Sequence, residues 1–467
     1  MLSSSDLRAD LAALRTTYLA LHPGLYRYNT PVELAARFDS VDRYFAKDRT
    51  LGEAFLALTR LTAAIRCGHT YPNFYNQKDQ IAKALFGGRD KVPFEFRWID
   101  GRMAVTEDRT PDLSLPRGTQ ILSIDGVDTR RILTALLPLA RADGSTDGKR
   151  AAYLEVSGYA RYEAFDVLYP LVFPVRDTVF SMRVRRAGSS APETVRVAAL
   201  TSAQRLATRR ARDAGTATDV AWQYEERDGA AILTMPTWAL YNSKWDWQAW
   251  TDSVMASLTA RGIRDLVVDI RRNEGGVDAG DAILAHLIDR PMSLPLYRRF
   301  VRYRSVPAEL RPLLDTWDRE FFDWGTAADG PDSSGFYRLR KWDDDTTGAR
   351  VVLPKGPKFP GRVWVLVGPV NSSATFQFAN AVKRTKLGTL VGRTTGGNLR
   401  CINGSAFFFV NLPRTGLEVD LPLVALMSSR PERDAGVEPD IRAESTAADI
   451  ARGVDAELEA VLARIRK

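Results

Sequence analysis

The stretch from 363 to 397, VWVLVGPVNSSATFQFANAVKRTKLGTLVGRTTGG, leaves a chain few ways to fold. An apolar run gives a strand, Gly-Pro-Val-Asn a sharp turn, and the residues after it a helix. A second short strand then ends in a glycine turn. The turn sets Asn371, Ser372, Ser373 and Ala374 at the mouth of the helix. Backbone N–H groups at a helix start have no partner within the helix and favour negative charge. A serine hydroxyl there is placed to act as a nucleophile whose oxyanion product meets those donors. Serine and asparagine are also ordinary helix caps, so the turn alone points two ways and its partners must decide.

Around this segment the pattern is parallel α/β. Strands AAILTM, DLVVDI, RVWVLV and TLVG alternate with helices expected at 247–261, 279–288 and 375–385. The strand at 266–270 is almost wholly apolar, as a sheet covered on both faces requires. Residues 1–88 read as a helical domain, with apolar residues at helical spacing and Pro23, Pro31 and Pro72 at plausible ends. Residues 89–200 change to short alternating strands. Residues 201–218 are small and polar and read as a linker. The core then runs from 219 to 467, interrupted at about 294–360 by an irregular insertion rich in Arg, Trp, Phe and Tyr. Such insertions serve as lids or binding loops, or pack onto a neighbouring domain.

Composition excludes several classes. A net charge of +8 over 467 residues is a mild excess without basic blocks, which argues against nucleic acid. No apolar run is long enough for a membrane span. The first residues form an amphipathic helix pattern rather than a signal peptide, so the expected compartment is cytoplasmic, or extracytoplasmic if a signal has been removed. Two cysteines, Cys67 and Cys401, exclude a disulfide framework and lack metal-ligand spacing. No metal or other cofactor is expected. Any imidazole chemistry must use His22, His69 or His286, because there are three histidines.

The second motif is Asp269-Ile270-Arg271-Arg272-Asn273-Glu274-Gly275-Gly276, at a strand end. Its two glycines allow close backbone approach. It resembles the D-x-R-x-N-x-G-G signature of the tail-specific (C-terminal-processing) and tricorn-core serine peptidases. Ser373-Ala374, the turn Gly392-Arg393-Thr394-Thr395-Gly396-Gly397 and the closing Gly436-Val437-Glu438-Pro439-Asp440 follow in that superfamily's order. The run 118–126, GTQILSIDG, is similar to the core of PDZ domains, which bind peptide ends by strand addition. The resemblance implies a multidomain α/β protein: a crotonase-like (ClpP/crotonase) core, an N-terminal helical domain and a PDZ-like β-rich module.

It also implies the site. Members with a Ser–Lys dyad carry a lysine where this chain has Asn398, 25 positions after Ser373. The resemblance is therefore to the histidine-dependent branch, with Cys67-Gly68-His69-Thr70 as its histidine motif. Ser373 is the expected nucleophile, with Ser372 as rival, and His69 the expected base. Ala374, Gly275 and Gly276 supply oxyanion N–H groups. Gly68 stands where that branch has a serine, so Thr70 is an accessory candidate, together with Asn398. The acid that orients the base is Glu432 or, alternatively, Glu438. If His69 meets Ser373, Cys67 and Cys401 flank one pocket and could form a disulfide. The function implied is a serine endopeptidase acting on peptides or unfolded polypeptide. The alternatives are a non-catalytic binder of peptides or hydrophobic ligands on the same scaffold and, third, an acyl-CoA enzyme. Oligomeric state is not readable.

Overall fold

The computed structural model describes the chain except residues 159, 213–221, 295–296 and 343–349. Four helices open it: Ser4–Leu21, Pro31–Tyr44, Leu51–Ala63 and Asp79–Phe86. The first three start where the sequence caps them. Ser3 accepts from the Asp6 N–H, while Thr30 with Glu33 and Thr50 with Glu53 form reciprocal capping boxes. The loop between the third and fourth helices carries His69.

A six-stranded antiparallel sheet follows, built from Phe94–Ile99, Arg102–Asp108, Gln120–Ile124, Val127–Asp128, Val179–Arg185 and Glu193–Ala198. Helices Thr129–Leu136, Asp147–Tyr153 and Ala164–Val172 lie between its strands in sequence. The expected linker departs from prediction. Ser202–Arg212 is a helix, anchored by a buried ion pair between Arg205 and Asp166; the remainder, 213–218, lies outside the described residues.

The core sheet runs Ile441–Arg442, Thr389–Gly392, Arg362–Val367, Asp265–Asp269, Ala230–Thr234, Gln223–Arg227. All neighbours are parallel except the last pair, a hairpin. Alternation along its strands feeds two cores. Leu233, Leu266, Val268, Val363 and Val365 pack with Met255, Ile283 and Phe378, on the helices Trp247–Ala260, Ala279–Ala285 and Ser373–Thr385. Ile232, Val267, Trp364 and Leu366 face the opposite way onto Leu458, Val461 and Leu462 of the last long helix, Ala456–Ile465. The apolar strands are thus covered on both faces, as their composition requires.

The stretch expected to be irregular, 294–360, is organised differently. Among its described residues, Tyr297–Val301, Leu314–Asp315, Ala328–Asp329 and Tyr337–Leu339 join the hairpin Asn403–Asn411 and Glu418–Ser428 in a second six-stranded antiparallel sheet. Its aromatics do pack onto other elements: Phe408, Phe322 and Trp324 share one continuous core with the N-terminal helices and the first sheet.

The opening helix is tied to that hairpin by a buried carboxylate. Asp10 accepts the Arg414 N–H (3.1 Å) and the Thr415 N–H (2.7 Å) in the hairpin turn. Replacing Asp10 with alanine strands two donors, of which the Thr415 N–H is buried. The variant is expected to lose about 2 kcal/mol in chemical denaturation; an unchanged midpoint would show that the turn holds without it.

Candidate active site

Asn371 organises the site from the backbone outward. Its side-chain oxygen accepts the Gly368 N–H (2.7 Å), closing its own turn. Its amide nitrogen donates to the carbonyls of Ile270 and Asn273, in the DIRRNEGG turn. Its carbonyl accepts the N–H groups of Gly396 and Gly397, both at 2.8 Å. Three loops at the carboxyl ends of neighbouring parallel strands are therefore held by one buried residue. Within the signature, Asp269 grips Arg271, which reaches Asp455 at the start of the last helix (2.6 and 2.7 Å).

These bonds press the glycine turn against the turn that carries Ser373. A Cβ on Gly275 would lie 2.9 Å from Ser373 Cβ and 3.1 Å from Ala374 N, and one on Gly276 1.9 Å from the Trp238 carbonyl oxygen. Only glycine fits either position. Ser373 itself has φ +50°, the left-handed region, on a non-glycine residue. Strain of this kind costs on the order of 1–3 kcal/mol and persists where the surroundings enforce it. Ser373 opens the helix Ser373–Thr385 and lines a cavity of about 1650 Å³.

The two serines are separated by environment. Ser372 is buried, donates to the Glu274 carbonyl (3.1 Å) and receives the Lys149 ammonium (3.3 Å). Its hydroxyl is committed to the structure, whereas Ser373 faces the cavity. The donors also differ from expectation. The Gly275 N–H is given to the Asn273 side-chain oxygen (2.9 Å), which removes it as an oxyanion donor. Among the described residues, the N–H groups of Ala374 and Gly276 have no acceptor.

His69 lines the same cavity, packed against Phe407 at 5.8 Å between ring centroids. Two distant segments of chain thus reach one space. The Nδ1 atom of His69 is buried without a hydrogen-bond partner. Burial lowers its pKa from 6.5. Asp143 and Glu274 oppose that shift, and Arg141 and Lys149 reinforce it.

The carboxylates beside His69 were not expected ones. Asp143 accepts the Gly68 N–H (2.8 Å), and its other oxygen lies 2.9 Å from where a Gly68 Cβ would stand. Glu274, from the signature itself, pairs with Arg141 (3.0 Å) and Lys149 (2.6 Å). Burial favours its neutral form, but the two cations prevail and hold it well below the usual carboxylate range. Arg141 also donates to the Gly68 carbonyl (2.5 Å) and stacks over Tyr71 and Tyr153. Burial lowers the Lys149 pKa, with Glu274 opposing. Arg141 and Lys149 carry no motif; the sequence signal for them was the unassigned Glu274, the acid that both of them pair with.

Several predicted residues lie elsewhere. Glu432 pairs with Arg384 near the far end of the nucleophile helix (3.2 Å) and is not among the carboxylates acting on His69. Glu438 is exposed and pairs with Arg442 (2.6 Å). Thr70 belongs to His22, whose Nδ1 accepts the Gly24 N–H (2.9 Å) and whose Nε2 therefore donates to the Thr70 hydroxyl (2.8 Å). Asn398 braces a loop by donating to Asp434 (2.6 Å). His286 bonds Asp252 (2.9 Å). Cys67 and Cys401 are separate buried thiols, contrary to the conditional disulfide. Burial raises both, Cys401 to about 12, so neither is a ready thiolate.

The arrangement is a serine hydroxyl, an imidazole and free N–H donors around one cavity, on an α/β core: the class is serine hydrolase. Comparison narrows it. Residues 229–443 match the model of peptidase family S41, a match that supports the tail-specific serine peptidase superfamily. Its class is therefore serine peptidase. No curated protein matches the sequence. The structure of mature CPAF complexed with lactacystin aligns over 99% of this chain and 98% of its own, at 16% identity and a TM-score of 0.65. Mature CPAF alone gives 16% identity, 99% and 97% coverage and a TM-score of 0.64. The photosystem II D1 C-terminal processing protease aligns over 100% and 98% at 16% identity, with a TM-score of 0.44. The fold seen here is thus shared with CPAF along the whole chain. No described helix is long and apolar enough to cross a membrane.

With three histidines, the imidazoles can be titrated individually by NMR. Burial and, second, Arg27 hold His22 neutral down to about pH 3. His69 is expected to titrate below 6.5. Both folded pKa values are depressed for a base, so their contribution to stability is present above pH 6.5 and is lost as pH falls below it. A His69 midpoint above 6.5 would contradict the balance of charges described here.

Proposed function

We propose that the chain is a serine endopeptidase that cleaves peptides or unfolded polypeptide through an acyl-enzyme. Ser373 is the nucleophile and His69 its general base. The N–H groups of Ala374 and Gly276 receive the oxyanion, aided by the positive end of the helix Ser373–Thr385. His69 takes the Ser373 proton as the oxygen attacks the carbonyl carbon, then passes it to the leaving amine; water reverses the sequence to release the acid. Asp143 and Glu274 supply the negative charge that favours the transient imidazolium. The observation that carries this reading is the left-handed Ser373 beside Gly275, facing the cavity that His69 also lines.

The domain reading is part of the proposal: a helical domain at 1–88, a PDZ-like module at 89–200 and a crotonase-like core from 219. The antiparallel pairing of Gln120–Ile124 with Val127–Asp128 and Val179–Arg185 supports the PDZ-like comparison. The parallel sheet covered on both faces supports the crotonase-like one. A second reading, a non-catalytic binder on the same scaffold, draws on the unpartnered Nδ1 of His69.

A fluorophosphonate probe separates the two. It is expected to label Ser373 in the native protein, as read by peptide mass spectrometry. Ser373→Ala should abolish labelling and lower peptide turnover by at least about 10⁴-fold; His69→Ala should cost about 10²–10⁴-fold. Lactacystin, present in the CPAF complex, is a second probe of the same site. Label on Ser372 would move the nucleophile to that residue, and no label on the folded protein would defeat the peptidase reading. The pH profile of kcat/KM is a further check. The base must be neutral, and burial disfavours imidazolium, so activity should persist below pH 6.5 before its acid limb falls.

Gly275→Ala addresses the packing. The added methyl pushes the glycine turn away from Ser373. The variant is expected to lose about 10²-fold in kcat, as a displacement near 1 Å can. Full activity would mean the close approach is not needed.

A further inference from the structure

One wall of the cavity carries a carboxyl group that the proposed chemistry does not use. On the hairpin Asn403–Asn411 and Glu418–Ser428, Phe409 lies directly across from Asp420. Both line the cavity, as do Phe407 and Trp317. Trp317 packs against Phe407 and Phe409 at 5.9 Å each yet remains 61% exposed. A tryptophan left so open above two half-buried phenylalanines presents an aromatic wall without an occupant.

Asp420 is 5% exposed. Asn73 and Asn76 donate to its two oxygens, at 2.8 and 3.0 Å. Neutral amides orient a carboxylate but do not neutralise it, and a buried carboxylate is costly without a cation. Among the described residues no lysine or arginine forms an ion pair with Asp420; Arg141, the cation that acts on it, is committed to Glu274. Burial pushes the Asp420 carboxyl up to about 7, which the two asparagines only partly offset. The same face holds two more acids. Asp315 lies across from Phe409 on its other side. Glu418, whose carboxyl burial and then Asp420 and Asp315 push up to about 7, has one buried oxygen with no partner.

We infer that Asp420, with Phe407, Phe409 and Trp317, forms a subsite for a basic side chain of the substrate, arginine or lysine. The aromatic faces take the flat or methylene part of that side chain, and the carboxylate takes its charge. The inference rests on the peptidase reading, and it adds a substrate preference to it. Phe407 touches His69, and the next cavity-facing position on that strand is about 7 Å further. An extended peptide advances about 3.3 Å per residue. The basic residue therefore stands about two or three positions from the scissile bond.

The test uses paired fluorogenic peptides that differ by arginine or citrulline, its neutral isostere, at each of three positions either side of the cleaved bond. In the native protein arginine is expected to exceed citrulline in kcat/KM by about tenfold or more at one position. Asp420→Asn should bring that ratio to within about twofold of unity, and Phe409→Leu should lower it about two- to fivefold. Fluorescence anisotropy of the same peptides on Ser373→Ala reads affinity without turnover. Equal treatment of both peptides at every position of the native protein, in turnover or in binding, overturns the subsite. A preference unchanged in Asp420→Asn overturns its assignment to this wall. Absence of turnover with arginine still bound more tightly would instead count against the peptidase reading alone, so the two failures differ. Should Asp420→Asn not fold, the arginine–citrulline ratio of the native protein and of Phe409→Leu decides.

Discussion

The site depends on one buried amide. Asn371 satisfies backbone groups of three loops that have no secondary structure to satisfy them, and buried backbone donors and acceptors must be paired. Its bonds to Ile270 and Asn273 bring the DIRRNEGG turn down onto the helix start. Gly275 and Gly276 are then forced by contact, because Ser373 and the Trp238 carbonyl occupy the space a side chain would need. The strained φ of Ser373 follows from the same contacts. A turn free to relax would release it; a turn held by a buried hydrogen-bond network does not.

A second constraint joins the chain's two halves. Glu274 stands half-exposed between Arg141 and Lys149, which come from the region before the core. Lys149 reaches on to the Val370 carbonyl and Ser372, and Arg141 to the Gly68 carbonyl. The cluster therefore touches the glycine turn, the nucleophile turn and the histidine loop at once. Removing Glu274 would leave the buried Lys149 ammonium and Arg141 guanidinium without their acid, which is destabilising. The cluster thus ties the loop that carries His69 to the turn that carries Ser373.

What could be read from the sequence was local. The strand–turn–helix around Ser373, the glycine signature and the capped N-terminal helices are each written in a few adjacent residues. The parallel core was legible because strands covered on both faces are apolar throughout. The second antiparallel sheet was not. Its strands from 297 to 339 include two-residue pieces such as Leu314–Asp315 and Ala328–Asp329, too short for periodicity, and their partners lie about a hundred residues away or across the hairpin. Glu432 stands shortly before the closing motif, but a carboxylate takes the nearest cation, and Arg384 stands beside it. Arg141, Asp143 and Lys149 were invisible because no fixed spacing connects them to the residues they serve.

Gly68 shows how a departure from a motif acquires a physical meaning. Where the histidine-dependent branch has a serine before the imidazole, this chain has no side chain at all, and Asp143 fills the space. Its carboxylate accepts the Gly68 N–H with one oxygen and lies with the other where a Cβ would begin. A serine there would collide with it. In this chain a carboxylate from a neighbouring segment therefore stands where a side chain at Gly68 would begin. A charge acts at longer range than a hydroxyl, since Coulomb attraction falls slowly in a partly buried site whereas a hydrogen bond needs contact. That is why the imidazole can feel Asp143 while its Nδ1 has no bonded partner. The loop's orientation then rests on backbone contacts at Gly68, donated to Asp143 and accepted from Arg141, rather than on a side-chain bond to the imidazole ring.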